Sequence, residues 1–350
     1  MRILRVLPVG NGACSLIRQS RDYWQAGSAD TVSIIDCGRG SRGGQKAAAY
    51  LEAELSSRDW DALQSVVVTH WDADHWNGLR YLADSTPRQV PEKKRKLMLY
   101  SPAIPIGIPP RTQAGVSAFI SATSGSGVEA IDFVRAWRKH FDVERIPVAK
   151  GDTIELAERP YIVEWPPREL SGKVVNEALS VLAAIEDIAA SNTPFQAALN
   201  EAYSRIEDGA FGPSEGSEDA EGEEWGELLD GSGSDEEVFA ETTDPLDADK
   251  KTDDPIAGVV VGGNSSGIPI LDKERHGPLI RSARRLQNLL SLVFHDREDR
   301  SLIVYGDAPE KVVELLAPSL HRTYTVQLAP HHGTHAMPWN APSSIFCIAQ

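Results

Sequence analysis

Apolar residues come in short runs broken by turn residues, the signature of strands. Ile3 to Leu7 is one such run, closed by Pro8-Val9-Gly10-Asn11-Gly12, and Cys14 to Ile17 is the next. Thr31 to Ile35 is β-branched and ends in Asp36-Cys37-Gly38-Arg39-Gly40. Val66-Val67-Val68-Thr69 places β-branched residues in succession, which suits a strand covered on both faces. Leu97 to Tyr100, Thr323 to Leu328 and Ser344 to Ala349 read as further strands. Two hairpins are predicted: one from Gly151-Asp152-Thr153 to Ile162-Val163-Glu164-Trp165 with its prolines, and one from Leu290 to Tyr305 turning at Arg297 to Arg300. Helical spacing predicts helices over Gln45 to Leu55, Ile131 to His140 (Phe133, Val134 and Trp137 on one face), Val174 to Ala190, Phe195 to Ile206 and Glu310 to Leu316. The proline-rich SPAIPIGIPPR, residues 101 to 111, predicts an irregular loop. Strands and helices interleave from the start, which favours layered α/β packing.

Charge adds one feature to that pattern. The chain of 350 residues carries a formal charge of −16, but Glu207 to Asp254 alone holds 19 acidic residues against Lys250 and Lys251. The remainder is balanced, with 32 acids and 33 bases. Rich in Gly, Ser and acid and poor in aliphatics, the tract lacks the apolar surface to offset ordering entropy and reads as disordered. A Gly-rich loop follows at Gly262 to Gly267, and basic clusters stand at Lys93 to Lys96 and at Arg281, Arg284 and Arg285. Cys14, Cys37 and Cys347 are too scattered for a disulfide framework. The sequence shows neither an apolar run long enough for a membrane span nor a signal-peptide pattern, so a cytoplasmic protein is expected.

The chemistry concentrates in Thr69-His70-Trp71-Asp72-Ala73-Asp74-His75-Trp76-Asn77-Gly78. His70, Asp72, Asp74 and His75 fall within a few residues of a buried strand's end, a stiff mount from which a loop can turn alternate side chains toward one point. Imidazole nitrogen and carboxylate oxygen suit Zn²⁺, Mn²⁺ or Fe²⁺. Other strand ends offer Asp36, Asp307 and either His331 or His332. Asp36 on its own reads as a turn cap, and Asp307 equally as the N-cap of the following helix. His140, His276, His295, His321 and His335 sit in no such pattern. Trp71 and Trp76 beside the ligands suit lining a mouth, stacking on bases or packing the core.

These motifs together resemble a metallo-β-lactamase-fold hydrolase of the ComEC-like branch, the soluble nuclease-type domain of DNA-uptake proteins. His70-Trp71-Asp72-Ala73-Asp74-His75 resembles His-x-His-x-Asp-His with Asp in the second position. Val9-Gly10-Asn11-Gly12, Ile35-Asp36-Cys37-Gly38, Asn288-Leu289-Leu290-Ser291-Leu292-Val293, Tyr305-Gly306-Asp307-Ala308 and Pro330-His331-His332-Gly333-Thr334 resemble the branch's other motifs, in order. The resemblance implies a four-layer αββα sandwich in two parts, residues 1–167 and 284–350. Between them lies an insertion at 168–283, helical and then acidic over about 207–254. The family's third-motif His has no clear counterpart, and its last helix is not found.

The resemblance further implies two divalent metal ions, Zn or Mn. His70 and Asp72 would hold one, Asp74, His75 and His331 the other, and Asp307 would bridge, which makes Asp74 and Asp307 the carboxylates closest to the chemistry. The expected activity is that of a phosphodiesterase, foremost a DNase with DNA as substrate. The acidic insert would hold it latent until a protease or regulatory partner displaces it, as suits a bacterial defence effector. The alternatives are a hydrolase of a small phosphoester, cyclic nucleotide or lactone, and a non-catalytic metal-stabilised binding module.

Overall fold

The computed structural model describes residues 2–20, 31–40, 43–85, 94–124, 130–207, 270–334 and 337–349. The acidic tract beyond Glu207, the Gly262 to Gly267 loop, Lys93 and His335 lie outside them. Two six-stranded sheets form the centre. The first runs β1 (Arg2–Val6), β2 (Cys14–Gln19), β3 (Thr31–Cys37), β4 (Leu63–Val67), β5 (Arg95–Pro102), β6 (Phe141–Val148) in spatial order. Its first three strands are antiparallel neighbours, and β3 to β6 are parallel. The second sheet is ordered β7 (Thr153–Leu156), β8 (Arg159–Trp165), β9 (Val293–His295), β10 (Leu302–Val304), β11 (Thr323–Leu328), β12 (Ser343–Ile348). It is antiparallel as far as β10 and parallel from β10 to β12. Both predicted hairpins are present.

The sheets face each other across an apolar layer that includes Ile17, Ile35, Val67, Tyr161, Phe294 and Val304. The outer face of the first sheet is covered by α1 (Gly44–Glu54), α3 (Ala73–Ser85) and α5 (Ala130–Trp137), through residues such as Leu51, Leu79 and Trp137. The outer face of the second is covered by α9 (Glu310–Leu316), through Val312, Val313 and Leu316. Val66, Val67 and Val68 are buried, as a strand with covered faces requires. The result is the four-layer αββα arrangement.

A cluster of helices joins this sandwich: α4 (Pro110–Ser124), α6 (Gly172–Ser191), α7 (Thr193–Glu207) and α8 (Gly277–Leu289). In α6 the buried positions Val174, Ala178, Val181, Leu182, Ile185 and Ala189 follow the helical period. Phe119 of α4 and Phe195 of α7 meet edge-on, with ring centroids 6.1 Å apart. The helical layer therefore draws α4 from the first part of the chain, and α8 runs through position 283, where the insertion was expected to end.

Several elements differ from expectation, the helices α3 and α8 among them. The proline-rich loop is shorter than predicted: Ser101 and Pro102 finish β5 and Pro110 opens α4, because proline is well suited to the first helical turn, where no N–H partner is needed. A short helix, α2 (Ser57–Ala62), is started by a capping box in which Ser56 and Asp59 satisfy each other's backbone N–H. Strand β6 extends the first sheet beyond β5, with the exposed positions Asp142 and Glu144 alternating against Phe141 and Val143. Among the described residues, no helix is long and apolar enough to cross a membrane.

Candidate metal centre

The parallel strands β3 and β4 of one sheet and β10 and β11 of the other end on the same rim, and every candidate ligand leaves from one of those ends. From β4 the chain passes through Thr69 and His70 into a tight turn. Asp72 accepts the Ala73 N–H at 2.7 Å through its side chain and the His75 N–H at 3.1 Å through its carbonyl. Asp72 thereby starts α3, so the motif is not a loop throughout: His70 and Asp72 precede the helix, while Asp74 and His75 occupy its first turn. A helix N-terminus favours carboxylates, which helps hold Asp74 there. The turn is pressed against the end of β3. A Cβ on Gly38 would lie 2.3 Å from the Asp74 carbonyl carbon, so only glycine fits, and Ala13 donates its N–H to the Asp74 carbonyl at 3.0 Å.

Asp36 is fully engaged beneath this turn. Its carboxylate accepts the Thr69 N–H and hydroxyl, both at 2.7 Å, and lies 2.9 Å from His75 Nδ1. It is buried with φ +54°, a left-handed conformation that a non-glycine residue adopts at a cost. Asp36 is thus neither a simple turn cap nor a member of a ligand group. It fixes the His75 ring so that Nε2 faces the centre, as carboxylates do behind metal-binding imidazoles.

From the second sheet, Asp307 follows β10 after Gly306. The helix cap of α9 is Pro309, without a side-chain bond, so the capping role open to Asp307 is not the one it takes. Its carboxylate lies 3.2 Å from His75 Nε2, 3.7 Å from His70 Nε2 and 3.3 Å from His331 Nδ1. After β11 the chain turns through Pro330–Gly333 with His331 and His332 both at positive φ, +50° and +56°. That turn sends His332 inward: its Nε2 is 3.2 Å from Asp74 Oδ2 and 3.3 Å from His75 Nε2. His331 stands at the rim beside Asp307, with the Asn288 amide 3.3 Å from its Nδ1.

Three ligand groups able to share one ion emerge among the described residues: His70, His75 and Asp307; Asp74, His75 and His332; His70, Asp72 and Asp74. Of the residues expected to ligate, His70, Asp72, Asp74, His75 and Asp307 come together in these groups. His331 belongs to none of them and meets the cluster through Asp307, while the inward place is taken by His332. The donor set fits divalent cations. Buried His70 Nε2 and Asp74 Oδ1 have no hydrogen-bond partner, and such atoms are expensive unless something satisfies them.

In the absence of a bound ion, protonation favours the ligating form at His70, Asp74 and Asp307 and the protonated form at Asp72, His75 and His332. Burial, helped by neighbouring His75, depresses His70 to about 3, leaving a neutral imidazole with a free lone pair. Burial pushes Asp307 up, but His75 and His70 outweigh it and hold the carboxyl well below its ordinary range. Asp74 is likewise held down, against its burial, by His332 and His75. Burial and the adjacent Asp74 raise Asp72, with Arg284 opposing them. His75 is raised despite burial by Asp307 and Asp36.

The surroundings settle other expectations. Trp71 and Trp76 are buried and pack the core of the first sheet, with Trp76 Nε1 donating to the Trp71 carbonyl at 3.1 Å, so they are not free to stack on bases. The basic cluster after Pro87 stands at the start of β5, the end of the sheet away from His70. There Lys94 donates to the Arg138 carbonyl, Arg95 to that of Trp60, and Lys96 pairs with Glu144. The cluster on α8 is nearer: Arg284 Nε lies 3.8 Å from Asp72 Oδ2, and Arg285 pairs with Glu177 of α6. Arg284 was expected only as one of a basic cluster, and Thr69 and Gln287 were not expected as parts of the site. Only Gln287 carried a signal, a polar residue among the buried positions Ile280, Ala283 and Leu286 of α8.

Residues 7–173 match the model of the Metallo-beta-lactamase superfamily. That match covers just under half of the chain. Similar solved structures include a beta-lactamase domain protein from Burkholderia ambifaria (18% identity, 46% of this chain and 44% of that chain, TM-score 0.26). A beta-lactamase from Chitinophaga pinensis (13%, 46% and 46%, 0.24) and a metallo-beta-lactamase family protein from Thermus thermophilus (17%, 46% and 51%, 0.24) are also similar. The chain spans about half the length of these structures, and at such TM-scores they carry no argument of their own. No curated protein matches it.

Proposed function

We propose that the chain is a metal-dependent phosphodiesterase whose substrate is DNA and which uses two divalent ions, Zn²⁺ or Mn²⁺. The observation that carries this reading is the overlap of the ligand groups. His70, Asp74 and His75 each belong to two of them, which is how a paired site distributes its ligands. Asp307 lies between the His70 and His75 imidazoles, the place of a bridging carboxylate. Divalent ions held there would supply a water activated near neutral pH and stabilise charge on an in-line phosphoryl group. The protein's own share is positional: Asp36 and Thr69 lock His75, Asp72 starts α3, and Arg284 stands at the rim where a phosphate oxygen would arrive. No side-chain nucleophile is needed.

The reading includes latency. Glu207 to Asp254 concentrates the chain's excess negative charge, and tethered to a site that draws a polyanion it would compete with DNA until a protease or regulatory partner removes it. Its scattered cysteines, free among the described residues, suit the cytoplasm, and a latent nuclease suits a defence effector.

The deciding experiment pairs metal analysis with cleavage of single- and double-stranded DNA, a generic phosphodiester and a neutral lactone in Mn²⁺ and Zn²⁺. Two equivalents of metal with DNA cleavage lost in Asp74→Ala support the reading. Turnover of the lactone or of the small diester alone transfers it to a small substrate. Metal binding without any turnover makes the chain a binding module.

A further inference from the structure

Alongside the metal loop lies a small cavity lined by His70, Trp71, Ile104, Gln113, Gln287 and Leu290, among others. Two of these residues present unsatisfied buried atoms: His70 Nε2 and Gln287 Oε1. Gln287 is 2% exposed, a polar side chain on the apolar face of α8. Its amide orientation is determined, because Nε2 donates to the Trp71 carbonyl at 3.2 Å. A carbonyl can only accept, so the amide cannot be flipped without losing that bond.

The residues around Gln287 follow the metal loop step by step. Arg284, one turn earlier, reaches Asp72. Asn288 reaches His331, the Ser291 hydroxyl accepts the Asp307 N–H at 3.2 Å, and Leu292 donates its N–H to the Thr69 carbonyl at 2.8 Å. Gln287 lies midway along this seam, bound to the carbonyl between His70 and Asp72.

A buried amide oxygen without a partner costs about 1–3 kcal/mol, and an unsatisfied His70 Nε2 lone pair, itself an acceptor, cannot satisfy it. A species that accepts electron pairs from both can. We propose that Gln287 supplies its amide oxygen to the metal position held by His70 and Asp72. The inference rests on the metal-site reading above and extends it to the kind of ion. That position would then be built from one imidazole, carboxylates and an amide oxygen, a harder set than the His75 and His332 position, where two imidazoles meet Asp74. Oxygen-rich sites suit Mn²⁺ or Mg²⁺, and imidazole-rich ones suit Zn²⁺. The two positions of one centre would differ in preference.

The test is metal content after equilibrium dialysis of the full chain against Mn²⁺ and Zn²⁺, alone and in competition, with thermal unfolding of the metal-free proteins as the folding control. Wild type is expected to hold two equivalents, one favouring Mn²⁺. Gln287→Leu, which keeps the bulk and removes the oxygen, should weaken that equivalent at least about tenfold and leave the other unchanged. Gln287→Glu, which keeps an oxygen, should retain it, and Gln287→His should retain it while turning its preference toward Zn²⁺. If Gln287→Leu binds both equivalents with wild-type affinity and preference, or if the Leu and Glu variants weaken alike, the proposal is overturned while the metal centre stands. If wild-type protein binds neither ion, the underlying metal reading itself falls.

Discussion

Asp36 shows how a residue can be decisive without touching the reacting atoms. Its two oxygens receive the Thr69 N–H, the Thr69 hydroxyl and His75 Nδ1, so both the end of β4 and a candidate ligand depend on it. Asp36→Asn presents one oxygen and one NH₂ where three donors converge. Partners of this kind are worth about 10–100-fold in metal affinity, and the variant is expected to lose that much by competition dialysis while keeping its far-UV circular dichroism. Full wild-type affinity would show that His75 needs no such anchor. The sequence presents Asp36 only as an Asp before Cys37-Gly38, because what it holds is 33 to 39 positions away and brought close by the pairing of β3 with β4. The choice between His331 and His332 was equally closed to sequence. It is made by two successive left-handed residues, and nothing in the spelling His-His-Gly says which ring turns inward. By contrast His70, Asp72, Asp74 and His75 were legible, since they need only a strand end and a few residues of chain.

At the level of elements, α2 and α8 carry distinct predictions. Asp59 closes the α2 capping box with Ser56 and takes Arg18 of β2 through both carboxylate oxygens at 3.1 Å. Burial pushes Asp59 up, but the Arg18 hydrogen bonds and those of Ser56 leave it below its ordinary value of 3.8. A carboxyl depressed in the folded state contributes stability that is present above the unfolded value and is lost as pH falls through the folded one. Asp59→Asn should therefore cost about 1.5 kcal/mol near neutral pH, the low end for hydrogen bonds to a charged group, because Arg18 keeps Glu54 as a partner. The deficit should shrink below pH 3.8, as urea unfolding at several pH values would show; a deficit independent of pH would mean that the cap matters and the ion pair does not. In α8, Arg284 is half exposed beside Asp72, so Arg284→Gln should fold normally. If DNA phosphates meet it, KM should rise several-fold with kcat little changed, and the slope of log binding against log salt should fall by about one. Unchanged salt dependence would remove Arg284 from the DNA path. Both helices escaped the sequence pattern for physical reasons: α2 is too short for periodicity, and the buried face of α8 is interrupted by the polar Gln287.

Across the whole molecule, the two-sheet arrangement was readable because each strand is a short apolar or β-branched run with a turn behind it, while the α4 contribution to the helical layer was hidden behind prolines. The charge distribution leads to a prediction on the same large scale. Described structure stops at Glu207, the end of α7, and resumes at Ile270 before α8, the helix that brings Arg284 to the rim. The acidic tract thus lies along the chain between α7 and the helix that carries Arg284. A tethered ligand competes at an effective concentration fixed by its linker, of millimolar order for a short flexible one, whereas free DNA must compete from bulk solution. Electrostatic competition of this kind weakens with salt, since the Debye length falls from about 10 Å at 0.1 M to about 3 Å at 1 M, but salt weakens DNA binding as well. Removing Asp208 to Asp254 should therefore raise the initial rate on DNA most at low ionic strength, with the two proteins converging as salt increases. A small diester at saturating concentration should show little difference, because it does not depend on a long electrostatic path. Equal DNA rates for the intact and shortened chains at every ionic strength would dispose of latency while leaving the hydrolytic centre as it is. A difference that persists at high salt would point to steric obstruction by the insert and not to its charge.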